Sequence, residues 1–328
     1  MTTASVSLKQ GYAGEPAEAR RRAWRRFYRN RPAMVSLLAL AVILGVCVGT
    51  AGISSREYQE QHLEQNRQGP ELTERFAPFG YDTLGRNMLW RSLYGGLVSL
   101  GIGLAAATIS VVIGTAWGAF AGWYGGRADN IMMRLVDILY GLPYILLVIL
   151  FKIGFEPRLV SVMAWCSQRW SWLGGLIEGR QERVANIMIL FLAIGAVSWL
   201  TMARVIRGQV LSLKSQPFME AARALGVPTR RVLVRHLLPN LMGPIIVYAT
   251  LTVPQAILQE SFLSFLGIGV QAPVPTWGSL ASEGVKAVNT VESFWWMVFF
   301  PCGLLGLTLL CLNFIGDGLR DAFDPRGR

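Results

Sequence analysis

The chain has 328 residues, 52% of them hydrophobic and only 16% charged, and a formal net charge of +11. Soluble domains carry about 25% charged residues, so the composition excludes an ordinary soluble enzyme or binding module. The basic residues flank long apolar runs, which makes them marks of membrane orientation rather than of nucleic-acid binding.

Residues 1–32 form a basic N-terminal segment running from Arg20-Arg21-Arg22 to Arg31. The apolar run 33–53 follows it. A secretion signal has an apolar stretch of about 7–15 residues, so this longer run is read as a retained first membrane helix. A bilayer core takes about 20 apolar helical residues to cross, and further runs with almost no charge recur at 92–126, 135–151 (with Asp137 inside), 184–203, 237–259 and 293–316. They lack the polar–apolar alternation of barrel strands. The expected fold class is therefore all-α, a polytopic membrane protein with six transmembrane helices. Beyond the first helix, these lie at about 95–122, 133–153, 184–204, 240–264 and 293–316 within a core of 92–316. Between them come an outer loop 54–91, an outer insert 154–183, a basic loop 204–239 and a tail 317–328.

Charge orients the chain. With the N-terminus in the cytoplasm, segments 1–32, 127–134, 204–236 and 317–328 hold 20 Lys and Arg, and the opposite side, 54–91, 152–183 and 267–292, holds 11. That asymmetry predicts both termini inside. Two acids, Asp137 and Glu260, fall in or near the membrane. Asp137 is read as a structural pairing near the inner surface. Glu260 is read either as pairing with a second chain or as lining a path, and both readings stay open.

No catalytic constellation is present. The chain has no phosphate-binding G-x-x-x-x-G-K-[ST] loop, no G-x-S-x-G elbow and no H-E-x-x-H helix. Cys47, Cys302 and Cys311 are read as small buried residues of apolar helices, and Cys166 as a free thiol in the outer loop. His62 and His236 lie on opposite sides and cannot share a metal, so no cofactor or metal is expected. Gly101-Ile-Gly103 and Gly267-Ile-Gly269 are read as close-packing positions of membrane helices.

The basic loop carries "FMEAARALGVPTRRVLVRHLLPN", residues 218–240. Pro217 suits the first turn of a helix. Glu220 meets the positive end of that helix, and Gly226 can end it in the left-handed conformation. Pro228 begins a second helix, which is expected to stop near Leu238 because Pro239 disfavours helix at the residue before it. The two alanines leave a shallow surface for another protein.

This segment resembles the EAA loop of binding-protein-dependent ABC importers: Glu220-Ala221-Ala222, then Gly226, then His236 and Leu238-Pro239. The form Arg235-His236-Leu237-Leu238-Pro239-Asn240 is similar to that of the peptide and nickel branch. "YDTLGRNMLWRSLYGGLVSLGIG", "MRLVDILYGLP", "LQESFLSFLGIGVQAPVPTWG" and "NFIGDGLRDAFDP" resemble other signatures of that branch, with Tyr81, Asn87 and Trp90 departing from it. The resemblance implies a type I importer permease, the C-type chain of a dipeptide or oligopeptide transporter. Nickel complexes, another small solute, or a passive channel or secondary carrier are the alternatives. It implies a heterodimer with a second permease, two cytoplasmic ATP-binding subunits that hydrolyse the ATP, and an extracytoplasmic substrate-binding protein, in the cytoplasmic membrane of a prokaryote. Glu220, Ala221, Ala222, Gly226, His236, Leu238 and Pro239 would form the ATPase-coupling loop. The substrate site is left unassigned.

One stretch breaks the pattern. About 30 residues separate the third and fourth helices, where the branch has a short loop. Trp165, Trp170 and Trp172 recur there with Leu159, Val162 and Leu173, which suits a helix lying at the headgroup level. Added contact with a substrate-delivering protein is the other reading.

Overall fold

A computed structural model of the full chain describes residues 16–71, 76–169, 181–288 and 292–323. The described residues form helices and loops, with two isolated bridges, Glu71 to Ala77 and Tyr81 to Asn87. In chain order the helices are α1 (Pro16–Arg29), α2 (Arg31–Gly49), α3 (Ala51–Glu57), α4 (Met88–Tyr124), α5 (Gly126–Tyr140), α6 (Tyr144–Arg169), α7 (Gln181–Lys214), α8 (Pro217–Ala224), α9 (Thr229–Val232), α10 (Leu238–Phe265), α11 (Trp277–Ala287) and α12 (Trp296–Phe323).

Among them, five helices are long and apolar enough to cross a membrane: α2, α4, α7, α12 and the continuous helix from Thr229 to Phe265. A sixth crossing is made if α5 and α6 count as one broken span. The third helix was expected as one span at about 133–153. Instead, α5 and α6 meet at 96° across Gly141-Leu142-Pro143. Pro143 disfavours helix at Leu142, the residue before it.

The ends of the helices follow their local sequence. Asn30 caps α2 by accepting from Ala33 N at 3.3 Å, and Asn87 caps α4 by accepting from Leu89 N at 2.9 Å. Thr276 and Ser279 form a reciprocal capping box at α11, which satisfies backbone donors that no helical bond can reach.

The centre of the bundle is the α4–α7 pair. Apolar side chains gain little by leaving lipid, so membrane helices associate through close packing of small residues. A Cβ on Gly114 would stand 2.8 Å from the carbonyl oxygen of Trp199, and one on Gly118 would stand 2.3 Å from that of Ala203. Of the glycine pairs expected to pack closely, Gly103 does so against Ile257 and Gly269 against Ser264, while Gly101 and Gly267 face open space. α10 packs against α4, α7, α11 and α12.

The two ends of the bundle differ. One, the basic end, gathers α1, the start of α2, the last turns of α4, α7 and α12, and α8 and α9. Phe27 and Ala33 pack there against Ile315, Leu319 and Ala322. The far end gathers α3, the loop before α4, α11 and the segment after α10.

Of the cysteines, Cys47 and Cys311 are buried as expected. Cys302 is exposed on α12, because its side lies outside the packed seam of that helix. Cys166 sits in α6 rather than in a loop. α6 itself runs through the first half of the expected insert and leaves Trp165 61% exposed. Trp170, Trp172 and Leu173 lie outside the described residues.

Candidate functional site

At the basic end, α7 stops at Lys214 and the chain turns through Ser215-Gln216 into α8. The Gln216 carbonyl accepts from Met219 N at 2.9 Å and from Glu220 N at 3.3 Å, starting the helix at Pro217. Met219 and Ala222, three residues apart, share the inward face. They are buried with Met202, Ile206 and Val210 of α7. The outward face presents Phe218, Glu220, Ala221, Ala224 and Leu225, the last 82% exposed. The expected shallow surface of two alanines is thus one alanine: Ala221 faces out, while Ala222 anchors the helix to α7.

Gly226 ends α8 with φ +67°. Val227 N then donates to Ala222 O at 3.1 Å, the backbone bond that closes a left-handed helix terminus. Open space surrounds the position a Cβ would take, so conformation rather than crowding calls for glycine here. Pro228 O accepts from Arg231 N and Val232 N, and α9 begins.

The second helix does not stop at Leu238. A π-helical segment, Leu233–Leu237, joins α9 to α10, and one continuous helix of 37 residues runs from Thr229 to Phe265. Pro239 would clash with the carbonyl four residues back in a regular α-helix. The wider π turn directly before it absorbs the misfit, so the helix passes through the proline. His236 is half-buried within the π turn, its carbonyl accepting from Asn240 Nδ2 at 2.6 Å. Leu238 and Pro239 are exposed. An apolar hollow of about 220 Å³ separates this segment from Phe120, Trp123 and Tyr124 of α4.

Ion pairs brace the same end. Arg207 of α7 grips both oxygens of Asp129 of α5 at 2.6 Å. Arg204 donates to Asp137 at 2.8 Å and lies 4.0 Å over the Tyr140 ring. Asp137 therefore has the structural partner expected of it. Lys214 donates to Trp123 O at 2.7 Å and Gly122 O at 3.3 Å, satisfying carbonyls at the end of α4.

At the far end, Glu260 is fully buried. Its Oε2 accepts from Ser99 at 2.9 Å and Ser261 at 3.3 Å, and its Oε1 from Ser264 at 2.7 Å. In this conformation it neither lines an open path nor reaches a surface where another chain could pair with it. Beside it, Gln259 Oε1 accepts from Tyr144 OH at 2.5 Å, so adjacent residues of α10 tie to α4 and to α6. Further out, buried Asp82 accepts from Arg86 at 2.6 Å and from Arg91, and Arg91 also holds both oxygens of Glu283 at 2.7 and 3.0 Å. Glu283 lies 192 residues from Arg91, too far for spacing to reveal the pair. The only signal was the run of polar positions in "YDTLGRNMLWRS".

Comparison with known proteins places this geometry in context. Residues 114–328 match the family described as "Binding-protein-dependent transport system inner membrane component". Residues 19–70 match the "N-terminal TM domain of oligopeptide transport permease C". The chain is 42% identical over 304 residues to the oligopeptide transport system permease protein OppC of Haemophilus influenzae, covering 93% of this chain and 88% of that one. It is 42% identical to the OppC protein of Escherichia coli K12, covering 93% and 90%. It is 39% identical over 306 residues to the dipeptide transport system permease protein DppC of Bacillus subtilis, covering 93% and 85%. Among solved structures, inward-facing MetNI methionine ABC transporter shares the fold with a TM-score of 0.53 at 17% identity, over 72% of this chain and 98% of that one.

Proposed function

The chain belongs to the inner-membrane component family of binding-protein-dependent transport systems, on its oligopeptide permease C branch, and from that premise we propose how it works in an ATP-driven importer of peptides. A second permease completes the translocation unit. Two cytoplasmic ATP-binding subunits hydrolyse the ATP, and an extracytoplasmic binding protein delivers the peptide. The basic end faces the cytoplasm, as the excess of Lys and Arg there supports. The core of 92–316 carries transport, and helix α2 packs at its side.

The observation that carries this reading is the continuity between the exposed helix α8 and a long spanning helix. Glu220, Ala221 and Leu225 form an outward face with no covering element among the described residues, fit for a groove on an ATPase. Behind that face, Met219 and Ala222 fasten α8 to α7, and Gly226 sets its angle to the 37-residue helix. At 1.5 Å per residue that helix is about 55 Å long. A push on α8 is passed along that helix, through Pro244 and Pro254, to Gln259 and Glu260 near the far end. This is alternating access by motion of packed helices rather than chemistry in this chain.

The broken third span supports a second chain beside it. Ile131, Leu135 and Ile138 of α5 and Leu146 and Leu150 of α6 are exposed apolar side chains on the two halves of the broken span, and the partly exposed Asp137–Arg204 pair joins α5 to α7. An ion pair near the apolar slab favours protein or water over lipid, and a partner permease packed beside this span supplies both. Uptake of a labelled tripeptide into proteoliposomes holding all the subunits tests the reading. It requires ATP-dependent uptake that disappears when this chain is left out.

A further inference from the structure

A second hollow lies at the far end, about 370 Å³ in volume, between α6, the first turns of α7 and the segment after α10. Its polar lining is of two signs. Glu156 of α6 and Arg183 of α7 both face it, with Asn186 beside them, and Val160, Val270 and Val274 make an apolar wall. We propose that this pocket holds a peptide in transit by its charged ends: the α-amino group at Glu156, the carboxylate at Arg183, and a side chain against the valines. The inference rests on the peptide-import reading above and assigns residues to a substrate site that the sequence left open.

The acid is held in place. Asn186 Nδ2 donates to Glu156 Oε1 at 3.1 Å, while the Asn186 amide oxygen is shut off from water without a partner among the described residues. A buried unpaired oxygen is unfavourable, so the amide is held for what its nitrogen does, which is to orient Glu156. No hydrogen bond to the second oxygen of Glu156 is made among the described residues. Arg183 is exposed, and a guanidinium offers paired donors that match a carboxylate. A pocket of about 300–1,000 Å³ with mixed apolar walls and few placed polar groups is the usual form of a small-ligand site. A free peptide carries an ammonium and a carboxylate together with apolar side chains.

The pocket is also connected to the drive. Its third wall, Val270 to Val274, directly follows the 37-residue helix. Lys152, buried in α6, donates to Ile268 O at 2.6 Å and Gly269 O at 3.0 Å, and Ser264 Oγ accepts from Val270 N at 3.3 Å. Movement of α10 therefore carries this wall and, through Lys152, the helix that bears Glu156, and so changes the position of both relative to Arg183 on α7.

The test uses the complete transporter in proteoliposomes with labelled Ala-Phe-Ala. Glu156→Gln and Arg183→Gln should each reduce uptake at limiting peptide by about tenfold or more, as expected for loss of a hydrogen bond to a charged group. Arg158→Gln is the control: it removes a charge two residues from Glu156 that lies over the Phe155 ring, outside the pocket. It should leave uptake unchanged. If a charge variant fails to reach the membrane, Val160→Trp decides, since it fills the hollow without touching its charges and should block uptake. Normal uptake in the assembled pocket variants overturns the pocket and leaves peptide import standing. A wild-type transporter that refuses peptide but moves another solute overturns the import reading instead.

Discussion

Glu260 of α10 and Ser99 of α4 meet at 2.9 Å in a site closed to water, and Ser99 in turn accepts from the backbone nitrogen of Trp277 at 3.3 Å. One carboxyl group thus joins α10, α4 and the start of α11. Glu260→Gln keeps the volume and an acceptor for the hydroxyls, and should change stability little. Glu260→Leu leaves Ser99, Ser261 and Ser264 without that acceptor. A buried unsatisfied group costs about 1–3 kcal/mol, so a loss of about 2–3 kcal/mol is expected in thermal unfolding of the detergent-solubilised protein. Equal melting of the two variants would show that the hydroxyls find other partners.

Close packing of α4 on α7 gives a sharper contrast. Gly118→Val forces side-chain atoms into the Ala203 carbonyl, while Gly101→Ala enters open space. Gly118→Val should sharply reduce the yield of monodisperse protein, and Gly101→Ala should match wild type. Size-exclusion profiles after extraction read both, and a normal profile for Gly118→Val would contradict the assigned helix contact.

The Asp82–Arg91–Glu283 cluster fastens the loop before α4 to α11. Removing one member of a buried ion pair strands the other charge, at about 3–5 kcal/mol. Asp82→Ala should therefore be strongly destabilising, because Arg91 is buried beside it. Glu283, with its side chain 38% exposed, should cost clearly less when changed to Ala. The ranking of the two melting temperatures is the measurement, and the reverse order would contradict the account.

Orientation is tested by labelling. In a chain without native cysteines, Arg169→Cys should react with a membrane-impermeant maleimide on intact cells, and Arg230→Cys should not. The opposite result would reverse the assigned sides.

Much of this architecture was legible because membrane helices write themselves as charge-free runs. The loop at 217–228 was legible too, since Pro217, Gly226 and Pro228 each act locally. What escaped were effects set by neighbours. Pro239 was read as a stop because sequence cannot announce a π turn that relieves its clash. Pro143 carried the signal for the break in the third span, but an apolar run on both sides hid it. Ala222 and Ala221 are identical in sequence, and only packing on α7 turns one inward. The placing of Glu283 against Arg91, and of Glu156 near Arg183, depends on tertiary contact between separate helices and loops, which spacing does not encode.

The central claim is that α8 passes the ATPase stroke to α10 through Gly226, and uptake measured beside ATPase co-purification tests it most directly. Valine at a left-handed position strains the turn by about 1–3 kcal/mol, too little to unfold the bundle but enough to change the angle of α8. Gly226→Val and Glu220→Lys should therefore reach the membrane at near-normal levels, lose the ATP-binding subunits on purification and lose ATP-dependent peptide uptake. Variants that keep those subunits bound and uptake coupled would contradict the docking role and reduce both residues to helix-terminus stabilisers.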